Sequence, residues 1–247
     1  EIADAIKYNA SQYITLPINE VTLDWQIVSD QSGGKNASLK VFLVAIPNQV
    51  VQDYQSIASS VGLELYALEA EAIGITRALA KEKNKTICLM DIGVQSSTVN
   101  IIDKGFLKRS YSFNFYSGQM VRAISSSLNI EYPEAEKIKN EEGIISQREG
   151  VAQTLYLLID PLINEIKNIS AEFMQSEQRQ VEEIYLTGGT ASLPGLKEYF
   201  EAVLKKKVLV PNCFSGLLYP PILEETLKEI SPSFSVAVGI SLGGLAT

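Results

Sequence analysis

The stretch Leu89-Met90-Asp91-Ile92-Gly93-Val94-Gln95-Ser96-Ser97-Thr98-Val99-Asn100-Ile101 constrains this chain more than any other. A short apolar run ends in an aspartate, turns at Gly93 through small polar residues and resumes with the alternation of a strand. Such a turn exposes successive backbone N–H groups and hydroxyls at its tip, a concave nest suited to phosphate oxygens. Gly93 permits close approach, and Asp91 is positioned to hold a hydrated metal ion beside the nest. Read alone, the same residues also make an ordinary β-hairpin with a polar turn.

A second stretch bears on that choice. Ile184-Tyr185-Leu186-Thr187-Gly188-Gly189-Thr190-Ala191-Ser192-Leu193-Pro194-Gly195-Leu196 reads as a strand running into two glycines, with a helix opening near Pro194. Paired glycines let a flat ligand lie against bare backbone. The alternative is a glycine-softened turn between strand and helix.

The 247 residues suit one large or two modest domains, and 46% hydrophobic with 20% charged residues describes a folded chain. A net charge of −8 disfavours nucleic acid as a partner, so Lys205-Lys206-Lys207 reads as a solvated helix end. Cys88 and Cys213 offer neither metal spacing nor a disulfide framework and suit a reducing compartment. There is no histidine, which removes the commonest general base near neutrality. No basic-then-apolar leader and no long apolar run are evident, so neither an export signal nor a spanning helix is expected.

In chain order, the apolar spacing predicts a helix over 2–14 ended by Pro17, an antiparallel pair of strands over 21–27 and 39–46, and a helix over 48–61. A strand is expected over 63–68, then a helix through Glu69 to Gly74 and a charged loop into the strand at Thr86. Asp103-Lys104-Gly105 turns the chain into a third strand of a meander. Helices follow over 118–128, 133–140 and 153–175, the last kinked at Pro161. The strand at Ile184, a helix to Leu204, a strand over 208–210 and a buried closing helix over 234–245 complete the chain.

The Asp91-Ile92-Gly93 hairpin followed by the strand into Gly188-Gly189 resembles the nucleotide motifs of the actin/Hsp70/FtsA superfamily. Within it, Glu1 to Leu23, Val44-Ala45-Ile46-Pro47 and Ser233 to Gly239 are similar to the PilM family of type IV pilus assembly. The resemblance implies an α/β, actin-like (ribonuclease H-like) ATPase fold. Residues 1–66 would form a small FtsA-type inserted subdomain, 67–85 a remnant of the first lobe with a connector, and 86–247 the second lobe. It implies ATP with Mg²⁺, the phosphates held by Asp91 and Gly93 with Ser96 and Ser97 as hydroxyl donors, and the metal by Asp91 through water. Gly188, Gly189 and Thr190 would border the adenosine. Glu134 and Lys137, one helical turn apart, would reach ribose and base, although such residues also form plain solvated ion pairs. Glu69 is expected to open the helix where relatives carry a Glu-Pro pair near the attacking water, with Ala70 in place of the proline. A glutamate there is also favoured by the helix dipole alone.

One departure matters: no second aspartate-glycine hairpin precedes Thr86, so half of the family's phosphate clamp is missing. Weak ATP binding and negligible hydrolysis are therefore expected, with exposed apolar surface favouring oligomers. The resemblance further implies a cytoplasmic scaffold at the inner face of a bacterial inner membrane, serving twitching motility. It would bind the cytoplasmic N-terminal peptide of PilN, with Tyr13, Leu16 and Ile18 lining the groove, and link it to pilus motor ATPases. For each of these three, core packing is the alternative. Rival readings are an FtsA-type cell-division membrane adaptor, disfavoured by the Gly-Gly-Leu-Ala-Thr ending, and an ATP-dependent enzyme of the same fold. Gly239-Ile240-Ser241-Leu242-Gly243 spells a hydrolase nucleophile elbow, but inside a helix-like run in a chain without histidine.

Overall fold

The computed structural model describes residues 8–27 and 41–245 together with Ile6. The chain divides into two compact units, Glu1–Ala70 and Glu71–Thr247.

In the first unit, Ile6 and residues 8–10 are helical, and the rest of the helix expected over 2–14 gives way to a turn or lies outside the described residues. Strand β1 (Val21–Ile27) pairs antiparallel with β2 (Val41–Pro47), Val21 opposite Pro47 and Ile27 opposite Val41. Proline cannot continue the ladder and its fixed φ suits a helix start, so Pro47 ends β2 and caps α1 (Asn48–Ser60). Asn48 ties that start to the sheet, accepting from Thr22 Oγ1 at 2.8 Å and donating to the Asn19 carbonyl at 3.0 Å. Among the described apolar residues of this unit only Ala10 and Val21 are buried, and the α1 stripe Val50, Tyr54, Ile57 is exposed. The strand expected over 63–68 is absent. Leu63, Tyr66 and Leu68 are exposed in irregular chain, because alternation makes a strand only where a neighbour completes the ladder, and the sheet here has two strands.

The second unit is built on a five-stranded sheet of order β5-β4-β3-β6-β7. Helix α2 (Glu71–Leu79) leads to β3 (Thr86–Ile92), β4 (Ser97–Asp103) and β5 (Phe106–Phe113), an antiparallel meander. Helices α3 (Ser117–Leu128), α4 (Tyr132–Glu141) and α5 (Val151–Glu177) follow. The chain then returns as β6 (Glu183–Thr187), parallel to β3 with Asp91 opposite Thr187. Helix α6 (Leu196–Leu204), the short edge strand β7 (Lys207–Leu209) and α7 (Glu224–Leu245) complete it. Pro161 lies inside α5, where its missing N–H deprives the Leu157 carbonyl of its helical partner.

The main core lies on one face of the sheet. Met90, Ile92, Val99 and Ile101 meet Met120 and Ile124 of α3, Ile138 of α4, Leu155, Ile159 and Phe173 of α5 and Phe200 of α6. Each such side chain, buried almost completely, is worth about 1.5–3 kcal/mol relative to exposure. Ile75, Ala78 and Leu79 of α2 are buried separately from that cluster. Helices α2 and α7 pack together at a backbone-to-backbone crossing, where a Cβ on Gly239 would collide with the Gly74 carbonyl. Arg77 Nη1 donates to the Gly239 carbonyl at 2.7 Å. The elbow-like letters at 239–243 are thus helix-crossing glycines.

Candidate functional site

The site forms where β3 and β6 end side by side. After Ile92 the chain turns at Gly93, whose N–H donates to the Ser96 carbonyl at 3.0 Å, and re-enters as β4 with Ser97 opposite Ile92. Ser96 stays exposed at the tip. Ser97 does not: it is buried and its hydroxyl donates to the Phe115 carbonyl at 2.7 Å, so its proton is committed to the fold.

Beside this turn, Gly188 closes β6 with φ +83°, and a Cβ there would strike Asp91 Oδ1 and the Ile92 backbone. Only glycine satisfies both demands. Its N–H donates to the Pro232 carbonyl of α7 at 2.9 Å, while the Thr187 hydroxyl reaches Ser235 Oγ at 2.7 Å and Ser235 donates to the Ser231 carbonyl at 3.0 Å. The loop Gly188–Thr190 is thereby fixed from behind by α7. From the front, Thr190 N–H donates to the Ile92 carbonyl at 3.3 Å.

In front of that loop lies a cavity of about 150 Å³ lined by Lys139, Asn140, Gly189, Thr190, Ser192 and Leu193. Thr190 is 1% exposed and its hydroxyl has no hydrogen-bond partner, whereas a buried hydroxyl is normally paired. Lys139, 6% exposed, donates to Ser117 Oγ at 2.7 Å, and burial holds its ammonium below the usual lysine pKa, partly offset by Glu136. The Ser117 N–H in turn donates to the Gly93 carbonyl at 3.1 Å, linking turn, helix α3 and cavity.

Asp91 is half-buried beside Gly188, and desolvation, followed by the field of the Glu71 carboxylate, pushes its pKa up to about 6. Glu71 is the first residue of α2, and nothing in its local sequence pattern distinguished it from Glu69. Glu69, expected to open that helix, instead lies before it, in the other unit.

In α4, Ala135, Ile138 and Lys139 are the buried residues, while Glu134 and Lys137 are exposed and the Glu134 charge acts on Arg148. Lys139 and Asn140, not singled out from the sequence, line the cavity. Tyr13, Leu16 and Ile18 are all exposed in the first unit, so none of them is core.

A nucleotide fits these residues. Gly189 lines the open cavity together with Thr190, whose buried hydroxyl has no partner. Among the described residues no three acidic, cysteine or histidine side chains cluster, so a magnesium ion would rest on Asp91, water and the ligand's own phosphates.

A three-stranded meander, a parallel partner strand ending in two glycines, and a cavity at their tips define an actin-like ATPase fold. Solved structures agree: MreB5 of Spiroplasma citri bound to AMPPNP superposes with a TM-score of 0.59 over 80% of this chain and 64% of that one, at 14% identity. The profile of the family described as type IV pilus assembly protein PilM matches residues 1–245, and the chain belongs to that family. The structure titled PilM-PilN type IV pilus biogenesis complex is similar over 99% of this chain and 72% of its counterpart, with a TM-score of 0.86 and 23% identity. Curated relatives include cell division protein FtsA of Pseudomonas aeruginosa, 23% identical over 96% of this chain and 64% of that protein. FtsA of Staphylococcus epidermidis is 21% identical over 80% and 48%. The chain thus spans 48–64% of the length of these curated relatives.

Proposed function

We propose that this chain is a nucleotide-binding scaffold of the type IV pilus inner-membrane platform, working at the cytoplasmic face. In this reading it captures the cytoplasmic N-terminal peptide of PilN and links it to the motor ATPases. The observation that carries the reading is the match to the PilM family along residues 1–245. The likeness to the PilM-PilN structure supports it. Among the described residues no helix is long and apolar enough to cross a membrane.

The division of labour follows the inserted subdomain and the second lobe, with 67–85 a remnant of the first lobe and connector. The first, residues 1–66, offers the exposed Tyr13, Leu16 and Ile18 to the peptide. The second, 86–247, holds ATP. Bound there, ATP supplies a phosphate tail at the Asp91–Gly93 turn. The chain's own contributions are the Gly188–Gly189 backbone and Thr190 against the nucleoside, Lys139 as a polar contact, and Asp91 toward a hydrated cation. In this reading the site retains nucleotide with little turnover, and self-association through exposed apolar residues accompanies it.

The test is fluorescence anisotropy with a labelled PilN N-terminal peptide. Saturable binding that drops at least tenfold in a Tyr13→Ser/Leu16→Ser variant supports the reading. An FtsA-type adaptor is the second reading, favoured by the curated relatives. It predicts no peptide binding but sedimentation with anionic lipid vesicles.

A further inference from the structure

We propose that the end of the five-stranded sheet remote from the cavity is a docking face for an anionic membrane surface. The proposal rests on the reading of the chain as an inner-membrane scaffold and names the face it turns to the bilayer.

The sheet register brings the charges of this face together. Ile87 pairs with Glu183 and Glu183 with Lys207, while Thr86 pairs with Asp103 and Asp103 with Phe106. The starts of β3, β6 and β7 and the β4–β5 turn therefore share one end. Neighbouring strands lie about 4.8 Å apart, so the row is roughly 19 Å wide, and at about 3.3 Å per residue the Ile92 end of β3 is roughly 20 Å away. The segments 82–86, 103–109, 177–183 and 205–207 that form this end hold nine lysines and arginines against five acids. That is a net charge of +4 in a chain of −8, leaving −12 for the remainder. Lys205-Lys206-Lys207, which alone reads as a solvated helix end, thus belongs to a larger basic field.

Two of the five acids hold the field in place from below. Asp103 and Glu183 are buried, with Arg179 Nε 2.7 Å from Asp103, and Lys85 and Lys207 at 3.0 and 3.3 Å from Glu183. Lys83 and Lys205 are exposed, and neither they nor Lys108 enter an ion pair among the described residues. Glu201, one turn before Lys205, accepts from the Val208 N–H at 3.1 Å, and counting it still leaves +3.

Shape and chemistry favour a lipid surface over an acidic protein. The cations are spread from β5 to β7 along the row, as a flat partner requires. Phe106 stands 50% exposed among them, with Lys108 Nζ 5.9 Å from its ring centroid. An aromatic ring beside lysines is the make-up of segments that lie in a bilayer interface. Each lysine near an anionic leaflet strengthens binding about fivefold. Screening acts over about 8 Å at physiological salt, so the carboxylates at the Asp91 end of the sheet do not cancel this field.

Co-sedimentation of the full chain with vesicles of phosphatidylglycerol and phosphatidylcholine, and with phosphatidylcholine alone, tests this. Binding is expected to the anionic vesicles only, falling at least tenfold between about 0.1 and about 0.5 M salt. Lys83→Gln/Lys108→Gln/Lys205→Gln should weaken it at least tenfold, with an unchanged melting temperature. Lys167→Gln/Lys197→Gln/Lys228→Gln, an equal change of charge on α5, α6 and α7, should leave it within about twofold. No sedimentation with anionic vesicles, or equal loss in both variants, overturns the proposal. So does binding that survives the first variant, the pattern of an adaptor held by an amphipathic segment elsewhere. A first variant that instead abolishes self-association without lipid assigns the face to a second copy and overturns it too. Peptide binding decides the scaffold reading separately, so failure of one is distinguishable from failure of the other.

Discussion

Replacing Asp91 by asparagine should change how stability depends on pH. In the folded protein desolvation and Glu71 raise the Asp91 pKa to about 6, against about 4 in an unfolded chain. Below pH ~4 the group is protonated in both states and contributes nothing. Between the two values the folded state holds the proton that the unfolded state has released, so stability falls as pH rises. Above pH ~6 the full penalty applies. A gap of roughly two pH units at about 1.4 kcal/mol each amounts to about 3 kcal/mol. The amide of the Asp91→Asn variant never ionises and escapes it. Urea unfolding of both proteins in EDTA, at pH 4 and pH 7.5, gives the comparison. The stability difference between variant and parent should move in favour of the variant by about 3 kcal/mol over that interval. A difference that stays flat with pH would refute the argument that this carboxylate is ionised against its surroundings. Using the difference also cancels Glu142 and Glu183, whose pKa values shift downward.

Two other substitutions test the packing. Gly239→Ala puts a methyl group into the Gly74 carbonyl, and prising α2 from α7 should cost about 1–3 kcal/mol in urea unfolding. Phe173→Ala empties a fully buried site under the sheet and should cost about 3–5 kcal/mol by the same measurement.

Much of the second unit was legible because its signals are local. Asp91-Ile92-Gly93 ends one strand and starts a turn whatever lies around it, and Gly188 is required by its own φ and by the backbone it faces. The reading faltered where tertiary contacts decide. The segment 63–68 alternates like a strand, yet among the described residues no neighbour completes its ladder. In α4 the apolar residues Ala135 and Ile138 fix which face is inward, and Lys139, four residues after Ala135, follows them. That spacing was available in the sequence and marks Lys139 as the buried lysine of the helix. The orphaned Thr190 hydroxyl had no such signal, since satisfaction of a buried group is a property of its surroundings. Glu71 likewise matters through its charge on Asp91, which lies on a different element.

The parallel pairing of Ile87 with Glu183 has a consequence for how the chain is made. Strands β3, β4 and β5 can pair as they leave the ribosome. The other edge of β3, carrying Ile87, Leu89 and Met90, waits until three further helices have been synthesised. At about 5–20 residues per second, that leaves an unpaired apolar edge open for roughly five to twenty seconds. Any chaperone that attends this protein during synthesis has its business in that interval.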